Sequence, residues 1–227
     1  MTPAAVLFDA GNTLVFLDYA RLAATIGDAL GVRLTEAGLK RHAGAAARAM
    51  EQGRLTDQER GTVFLLTLFE RAGVPPERTE ELKAALLQMH QRVHMWGATE
   101  PGTVESLARL RAAGIRLAVI SNSDGRAAAA LEAGGLLDQF EFVIDSGEVG
   151  VEKPDPRIFR IALERMGIDP ADALYVGDLY EVDAMGARAA GLDVVLLDPS
   201  GEHSGRDVKT VRSLVELADE LLAARVA

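Results

Sequence analysis

The 227-residue sequence predicts an α/β fold, a doubly wound parallel five-stranded sheet with a four-helix domain inserted after its first strand. Three observations predict it. Short runs rich in Val, Ile and Leu recur at residues 4–8, 115–120, 140–144, 173–176 and 193–197. Each is followed by a polar turn and then by helical spacing, the pattern of strands buried on both faces and joined by crossover helices. The first two runs stand apart by residues 9–114, far more than a crossover needs, and this interval has helical rather than strand periodicity. Lastly, the runs end in polar residues, as expected where an open parallel sheet presents its carboxyl ends to a ligand.

In chain order, the first strand stops at Asp9 and turns through Gly11 and Asn12. Residues 18–30, 35–52, 56–72 and 78–95 each support a helix, punctuated by Gly31, Gly53 and the turn Gly73-Val74-Pro75-Pro76. The inserted cap domain therefore covers residues 17–96, and the core comprises 1–16 and 97–227. Pro101-Gly102 restarts the core ahead of a helix. The remaining core helices are predicted near 102–113, 125–134, 155–167, 180–190 and 211–224.

Composition narrows the function classes. Hydrophobic residues make up 48% and charged residues 26%, with no biased stretch, as in an ordinary globular protein. The formal charge of −10 repels phosphate backbones and anionic lipid, which disfavours nucleic acid and membrane partners and points to a small-molecule substrate. The absence of cysteine removes thiol nucleophiles, thiolate metal sites and disulfides. The first residues form neither a basic leader nor an apolar signal, and a cytoplasmic protein is expected. A monomer and a homodimer are both compatible with the pattern.

The polar strand ends collect Asp9, Ser121-Asn122-Ser123 and Gly177-Asp178, with Asp183 five residues further and Glu152-Lys153-Pro154 before the fourth strand. Each has an ordinary structural reading: Asp caps helices, Ser121 to Asp124 makes a turn, Asn12 and Thr13 close a turn, and lysine is usually a surface residue. Their occurrence together at one sheet edge is what favours chemistry. The His90/His94 pair has helical metal-site spacing but lacks the Glu and third ligand of a zinc hydrolase, and Met95 and Trp96 read as packing residues. No Gly-x-Gly-x-x-Gly or Walker loop occurs.

In order and spacing over almost the whole chain, the segments Asp9-Ala10-Gly11-Asn12-Thr13, Ser121-Asn122, Lys153 within Val151 to Asp155, and Gly177-Asp178 with Asp183 resemble the haloacid dehalogenase superfamily of hydrolases. The resemblance implies an aspartyl-phosphate formed on Asp9, steadied by Thr13 and screened by Lys153. It implies phosphoryl contacts from Ser121 and the amide of Asn122. It further implies Mg²⁺ held by Asp9, Asp178 and the carbonyl of Gly11, with Asp183 a ligand or one layer behind. Three carboxylates brought together need such a cation and a basic side chain to offset their repulsion. Gly11 is the departure: phosphatases of the superfamily usually carry a second Asp there as acid and base. The reading is a phosphatase for a small phosphorylated metabolite. Its alternatives are a dehalogenase, a phosphonate hydrolase with Lys40 or Lys83 as Schiff-base lysine, or a phospho-ligand-binding protein.

Overall fold

The computed structural model describes residues 3–50, 57–92 and 95–226. Its chain divides into two compact units, Met1–Phe16 with Ala98–Ala227, and Leu17–Gly97. The strands in chain order are β1 (Ala5–Phe8), β2 (Phe16–Leu17), β3 (Trp96–Ala98), β4 (Arg116–Ser121), β5 (Val143–Asp145), β6 (Ala173–Gly177), β7 (Asp193–Leu197) and β8 (Lys209–Val211).

The first unit is built on a six-stranded sheet in the order β5-β4-β1-β6-β7-β8. All of its pairings are parallel. From β1 the chain moves outward through β4 and β5, then outward on the other side through β6, β7 and β8, so the order reverses at β1. That is where an open α/β sheet leaves a crevice beyond its strand ends. Every residue of β1 is fully buried, because strands on both sides and helices on both faces cover it.

The sixth strand corrects the predicted five. Lys209 and Thr210 are exposed and only Val211 is buried, so β8 presents no apolar run to a reader of the sequence. Its pairing with Val195–Leu197 makes it a strand, and its polar character suits an edge. The third predicted run, 140–144, also shifts, since its strand is only Val143–Asp145.

The helices are α1 (Tyr19–Leu30), α2 (Glu36–Met50), α3 (Asp57–Arg71), α4 (Thr79–Arg92), α5 (Thr103–Ala112), α6 (Ala127–Ala133), α7 (Ser146–Val149), α8 (Pro156–Met166), α9 (Met185–Ala189) and α10 (Leu214–Val226). Helix α8 has its start written into the sequence, with Asp155 accepting from the amide of Arg157 and Pro156 in the first turn. Its buried face, Ile158, Phe159, Ala162, Leu163 and Met166, packs with Leu7, Ile120, Tyr175 and Leu196 of the sheet.

Helices α1 to α4 make up the second unit. Leu22, Ile26, Leu39, Leu68, Phe69, Leu82 and Met89 form its core, with Met95 buried among them and Trp96 packed against them. Gly31 ends α1 in the left-handed conformation at φ 59°. Gly53 and His94 lie outside the described residues. Among the described residues no helix is long and apolar enough to cross a membrane.

Candidate active site

Strand β1 delivers Asp9 to the crevice. The Asp9 amide donates to the Val176 carbonyl at 2.8 Å, which carries the β1–β6 ladder one step past the strand. The chain then doubles back: the amides of Leu14 and Val15 both donate to the Ala10 carbonyl at 2.9 Å, and that of Asn12 to the Val15 carbonyl at 2.9 Å. Asn12 turns the corner at φ 56°, a left-handed conformation that Asn tolerates better than most residues. Gly11 is not among the left-handed glycines, so the backbone there does not require glycine. Thr13 is buried, and its hydroxyl oxygen has no hydrogen-bond partner among the described residues.

Lys153 is the centre of the charged network. It is 2% exposed, and its ammonium donates to Asp9 Oδ1 at 2.5 Å, to Asp183 Oδ1 at 2.8 Å and to the Tyr175 hydroxyl at 3.0 Å. An ammonium has three N–H groups, and all three are used. Asp183 is equally committed. Its Oδ1 also accepts from the Tyr175 hydroxyl at 2.8 Å, and its Oδ2 accepts from the amides of Asp178 at 3.2 Å and Leu179 at 3.0 Å. Asp9, Asp178 and Asp183 each bring one carboxylate oxygen into a group whose members lie within 4.8 Å of one another.

The electrostatics follow from three carboxylates around one lysine. Burial pushes the Asp9 carboxyl up, Lys153 pulls it back and Asp183 pushes again, leaving it at about 6 against an ordinary 3.8. Asp178 is held well above the usual carboxylate range by burial and by the Asp9 and Asp183 charges, against the opposing pull of Lys153 and a hydrogen bond with Asn12. Burial alone would lower the Lys153 ammonium, but Asp183 and Asp9 beside it hold it well above its ordinary value. The group is short of positive charge.

Residues at the ends of β4 and β5 build a polar loop beside this network. Ser121 is buried, and its hydroxyl reaches only the Asn122 carbonyl at 3.5 Å, a bond at the limit of significance. The Asn122 side chain is hydrogen-bonded to the backbone of Lys153. Its Nδ2 donates to the Lys153 carbonyl at 3.0 Å and its Oδ1 accepts from the Lys153 amide at 2.8 Å, clamping the lysine backbone. Asp145, absent from the sequence reading, ties the loop together by accepting from the amides of Gly125 at 3.0 Å, Ala127 at 2.9 Å and Gly147 at 2.9 Å.

The Asp178 segment is held from two sides. A π-helical turn over Tyr180–Ala184 swings Asp183 back under the Asp178 and Leu179 amides. From the loop after β7, His203 Nε2 donates to the Asp178 carbonyl at 2.8 Å, while Asp198 anchors that loop through the amides of Glu202 at 2.8 Å and His203 at 2.9 Å. Gly177 is needed for space, since a Cβ there would lie 2.5 Å from the Asp183 carboxyl carbon. Four hydrogen bonds keep that carboxylate from moving aside. Gly177→Ala is therefore expected to cost about 1–3 kcal/mol, read as a lower urea midpoint with unchanged slope.

Asp9, Lys153, Asp178 and Asp183 thus meet directly, and Asn122 joins them through the Lys153 backbone. Tyr175, Asp145 and His203 are the additional residues. Asp145 directly follows an apolar run, a signal the sequence held. Tyr175 inside a strand looks like any core aromatic.

Residues 3–191 match the haloacid dehalogenase-like hydrolase family. The chain belongs to that family. Among curated relatives, it is 39% identical over 130 residues to phosphoserine phosphatase of Thermus thermophilus, covering 57% of this chain and 51% of the relative. It is 43% identical over 109 residues to phosphoglycolate phosphatase of Nitrosospira multiformis, covering 48% and 47%. The chain spans about half the length of the curated relatives it matches. Among solved structures, YfnB of Bacillus subtilis, crystallised with magnesium, superposes with a TM-score of 0.71 at 21% identity over 96% of this chain and 97% of that one, a likeness of fold. A 2-haloacid dehalogenase of Pseudomonas syringae gives 0.59 at 26% identity over 98% and 99%.

Proposed function

We propose that this family member is a Mg²⁺-dependent phosphatase of small phosphorylated metabolites, with Asp9 as nucleophile. The observation that carries the reading is the buried Asp9–Lys153 pair at 2.5 Å inside a three-carboxylate cluster. The donor set fits a hard divalent cation: oxygen ligands, an excess of negative charge and two carboxyls pushed up by burial and by neighbouring carboxylate charge. Asp9 and Asp178 would hold Mg²⁺ with the Gly11 carbonyl. Asp183 belongs behind them, because both its oxygens are already taken by Lys153, Tyr175 and two amides. When bound, Mg²⁺ supplies the positive charge that lets an anionic phosphoryl group approach two carboxylates.

The rest is work for the chain's own residues. Lys153 holds one oxygen of Asp9, orienting the carboxylate and keeping it ionised, so that it attacks phosphorus and the leaving oxygen departs. The Ser121 hydroxyl and the Asn122 amide bind phosphoryl oxygens. Thr13, with an unused hydroxyl next to this turn, steadies Asp9. Water then attacks phosphorus of the aspartyl-phosphate and releases phosphate. The Leu17–Gly97 unit is assigned to substrate choice as a cap. That the relatives include phosphatases named for phosphoserine, phosphoglycolate and glyceraldehyde 3-phosphate supports small phosphate monoesters as the substrate class.

Lys40 and Lys83 do not favour a phosphonate hydrolase. Their side chains are 59% and 45% exposed and paired with Glu36 and Glu80, whereas a Schiff-base lysine is activated by losing water or by a neighbouring cation.

The test is phosphate release from an aryl phosphate and an alkyl phosphate, with and without Mg²⁺, by the natural chain and by Gly11→Asp. Metal-dependent release by the natural chain is expected, faster on the aryl ester. Gly11→Asp supplies an acid without backbone strain and is expected to raise alkyl phosphate turnover by up to about 100-fold. Absence of release from both esters by both proteins overturns the phosphatase reading in favour of carbon-bond hydrolysis or ligand binding.

A further inference from the structure

We infer that Tyr175 is a positioning residue for Lys153, and that its hydroxyl decides where the lysine ammonium sits relative to Asp9. The kinetic part of this inference rests on the phosphatase reading, whereas the geometric part stands without it. Tyr175 lies on β6, two residues before Gly177, in a strand buried throughout. Its side chain is fully buried, and the ring is wedged edge-on against Phe159 of α8, with centroids 5.0 Å apart and planes at 77°. Such a ring has one orientation, so its hydroxyl is a fixed point.

A phenol hydroxyl accepts and donates at once, and here both capacities are used. The oxygen accepts from Lys153 Nζ at 3.0 Å, and the O–H donates to Asp183 Oδ1 at 2.8 Å. Asp183 Oδ1 in turn accepts from Lys153 Nζ at 2.8 Å. Tyr175, Asp183 and Lys153 close a triangle, and the one N–H of the ammonium outside it goes to Asp9. Two edges of the triangle fix the direction of the third bond. Core packing accounts for the ring but not for the hydroxyl, since a buried phenol without partners is costly and Phe would fill the same space. The oxygen is there for the ammonium and the carboxylate.

Tyr175→Phe keeps the ring and removes only that oxygen. Lys153 then has a free N–H, and its flexible stem allows the ammonium to swing away from Asp9. A misplacement on the scale of an ångström lowers turnover by about 10- to 100-fold, while substrate affinity, set elsewhere, stays within about twofold. A loss confined to kcat is what positioning predicts. A loss of packing alone would lower the melting temperature and leave the kcat of the folded fraction intact.

A second measurement needs neither turnover nor metal. The chain has four lysines, Lys40, Lys83, Lys153 and Lys209. The side chains of Lys40, Lys83 and Lys209 are 59%, 45% and 59% exposed, and that of Lys153 is 2% exposed. In protein labelled with ¹⁵N-lysine, only the Lys153 ammonium exchanges slowly enough with water to give a sharp NMR resonance near neutral pH. Tyr175→Phe is expected to broaden or shift that resonance, together with the drop in kcat on the aryl phosphate. Should Tyr175→Phe fail to fold, Asp183→Asn keeps the tyrosine but weakens the acceptor on which both bonds converge, and the same resonance is expected to be lost.

A sharp, unshifted resonance in the folded variant overturns the inference, and so does an unchanged kcat on the aryl phosphate. If the natural chain releases no phosphate but the resonance is lost in Tyr175→Phe, the phosphatase reading fails and the positioning of Lys153 by Tyr175 stands.

Discussion

Replacing Asp9 by Asn is expected to lower phosphate release by about 10⁴-fold or more if Asp9 is the nucleophile proposed above, because the change removes the oxygen assigned to attack phosphorus. The same change is expected to make the metal-free protein more stable at pH 7.5. Asp9 titrates at about 6 in the folded chain, above its ordinary 3.8, so ionising it opposes folding. That penalty sets in as pH rises from 3.8 towards 6 and is fully present above that range, where Asn is free of it. At pH 4 the carboxyl is largely protonated in the folded state, and the advantage of Asn shrinks. Thermal melts in EDTA at the two pH values, beside phosphate assays with Mg²⁺, check both parts. Turnover that survives in Asp9→Asn would remove Asp9 from the mechanism.

Lys153→Met is expected to be the most damaging single change to stability. It leaves the carboxylates of Asp9 and Asp183 buried with no cation, a loss of about 3–5 kcal/mol. For a chain of this size that corresponds to a fall in Tm of about 10 °C. The direction of the pH effect follows from the same carboxyls. Asp9 and Asp178 are already pushed upward, and loss of the lysine pushes them further, so protonation relieves the strain on lowering the pH. The variant is thus expected to lie furthest below the natural protein near pH 8 and to recover part of the difference near pH 5. Adding Asp183→Asn to Lys153→Met removes one of the uncompensated charges and is expected to restore stability relative to the single variant, a non-additive result characteristic of groups in contact. Differential scanning calorimetry of the two variants at both pH values tests this, and a Tm for Lys153→Met equal to that of the natural chain would contradict the network as drawn.

How much of this was legible in the sequence depended on where each residue's partner lies. The parallel core showed itself because β1, β4, β6 and β7 are buried on both faces and must be apolar almost throughout. β8 did not, since its strand character comes from pairing with β7 rather than from its own side chains. Among site residues, Asp9 and Asp178 stood out only as a set with the other polar strand ends, since a lone Asp after a strand reads as a turn or helix cap. The side chain of Asn122 was harder to place. Its role as a clamp is set by Lys153, 31 residues away along the chain, and spacing cannot reveal that bond. Tyr175 was invisible for a related reason. A tyrosine in a buried strand is already explained by its ring, and only three dimensions show that its hydroxyl meets Lys153 and Asp183. Gly11 illustrates the converse. Its chemical meaning was readable as a missing carboxyl, and the structure adds that Gly11 is not in the left-handed conformation that would demand a glycine.

The carboxylate of Asp145 has a consequence for recognition. By taking the amides of Gly125, Ala127 and Gly147, it holds the loop that follows Ser121 in one conformation before anything arrives. Ordering a loop on binding commonly consumes much of the gross attraction between a protein and a small anion, and here that entropy is surrendered once, during folding. If Ser121 and Asn122 bind phosphoryl oxygens as proposed, the anion would meet a loop that folding has already ordered. Loosening Asp145 by substitution should weaken the entropic component of anion binding while leaving the contacts themselves in place.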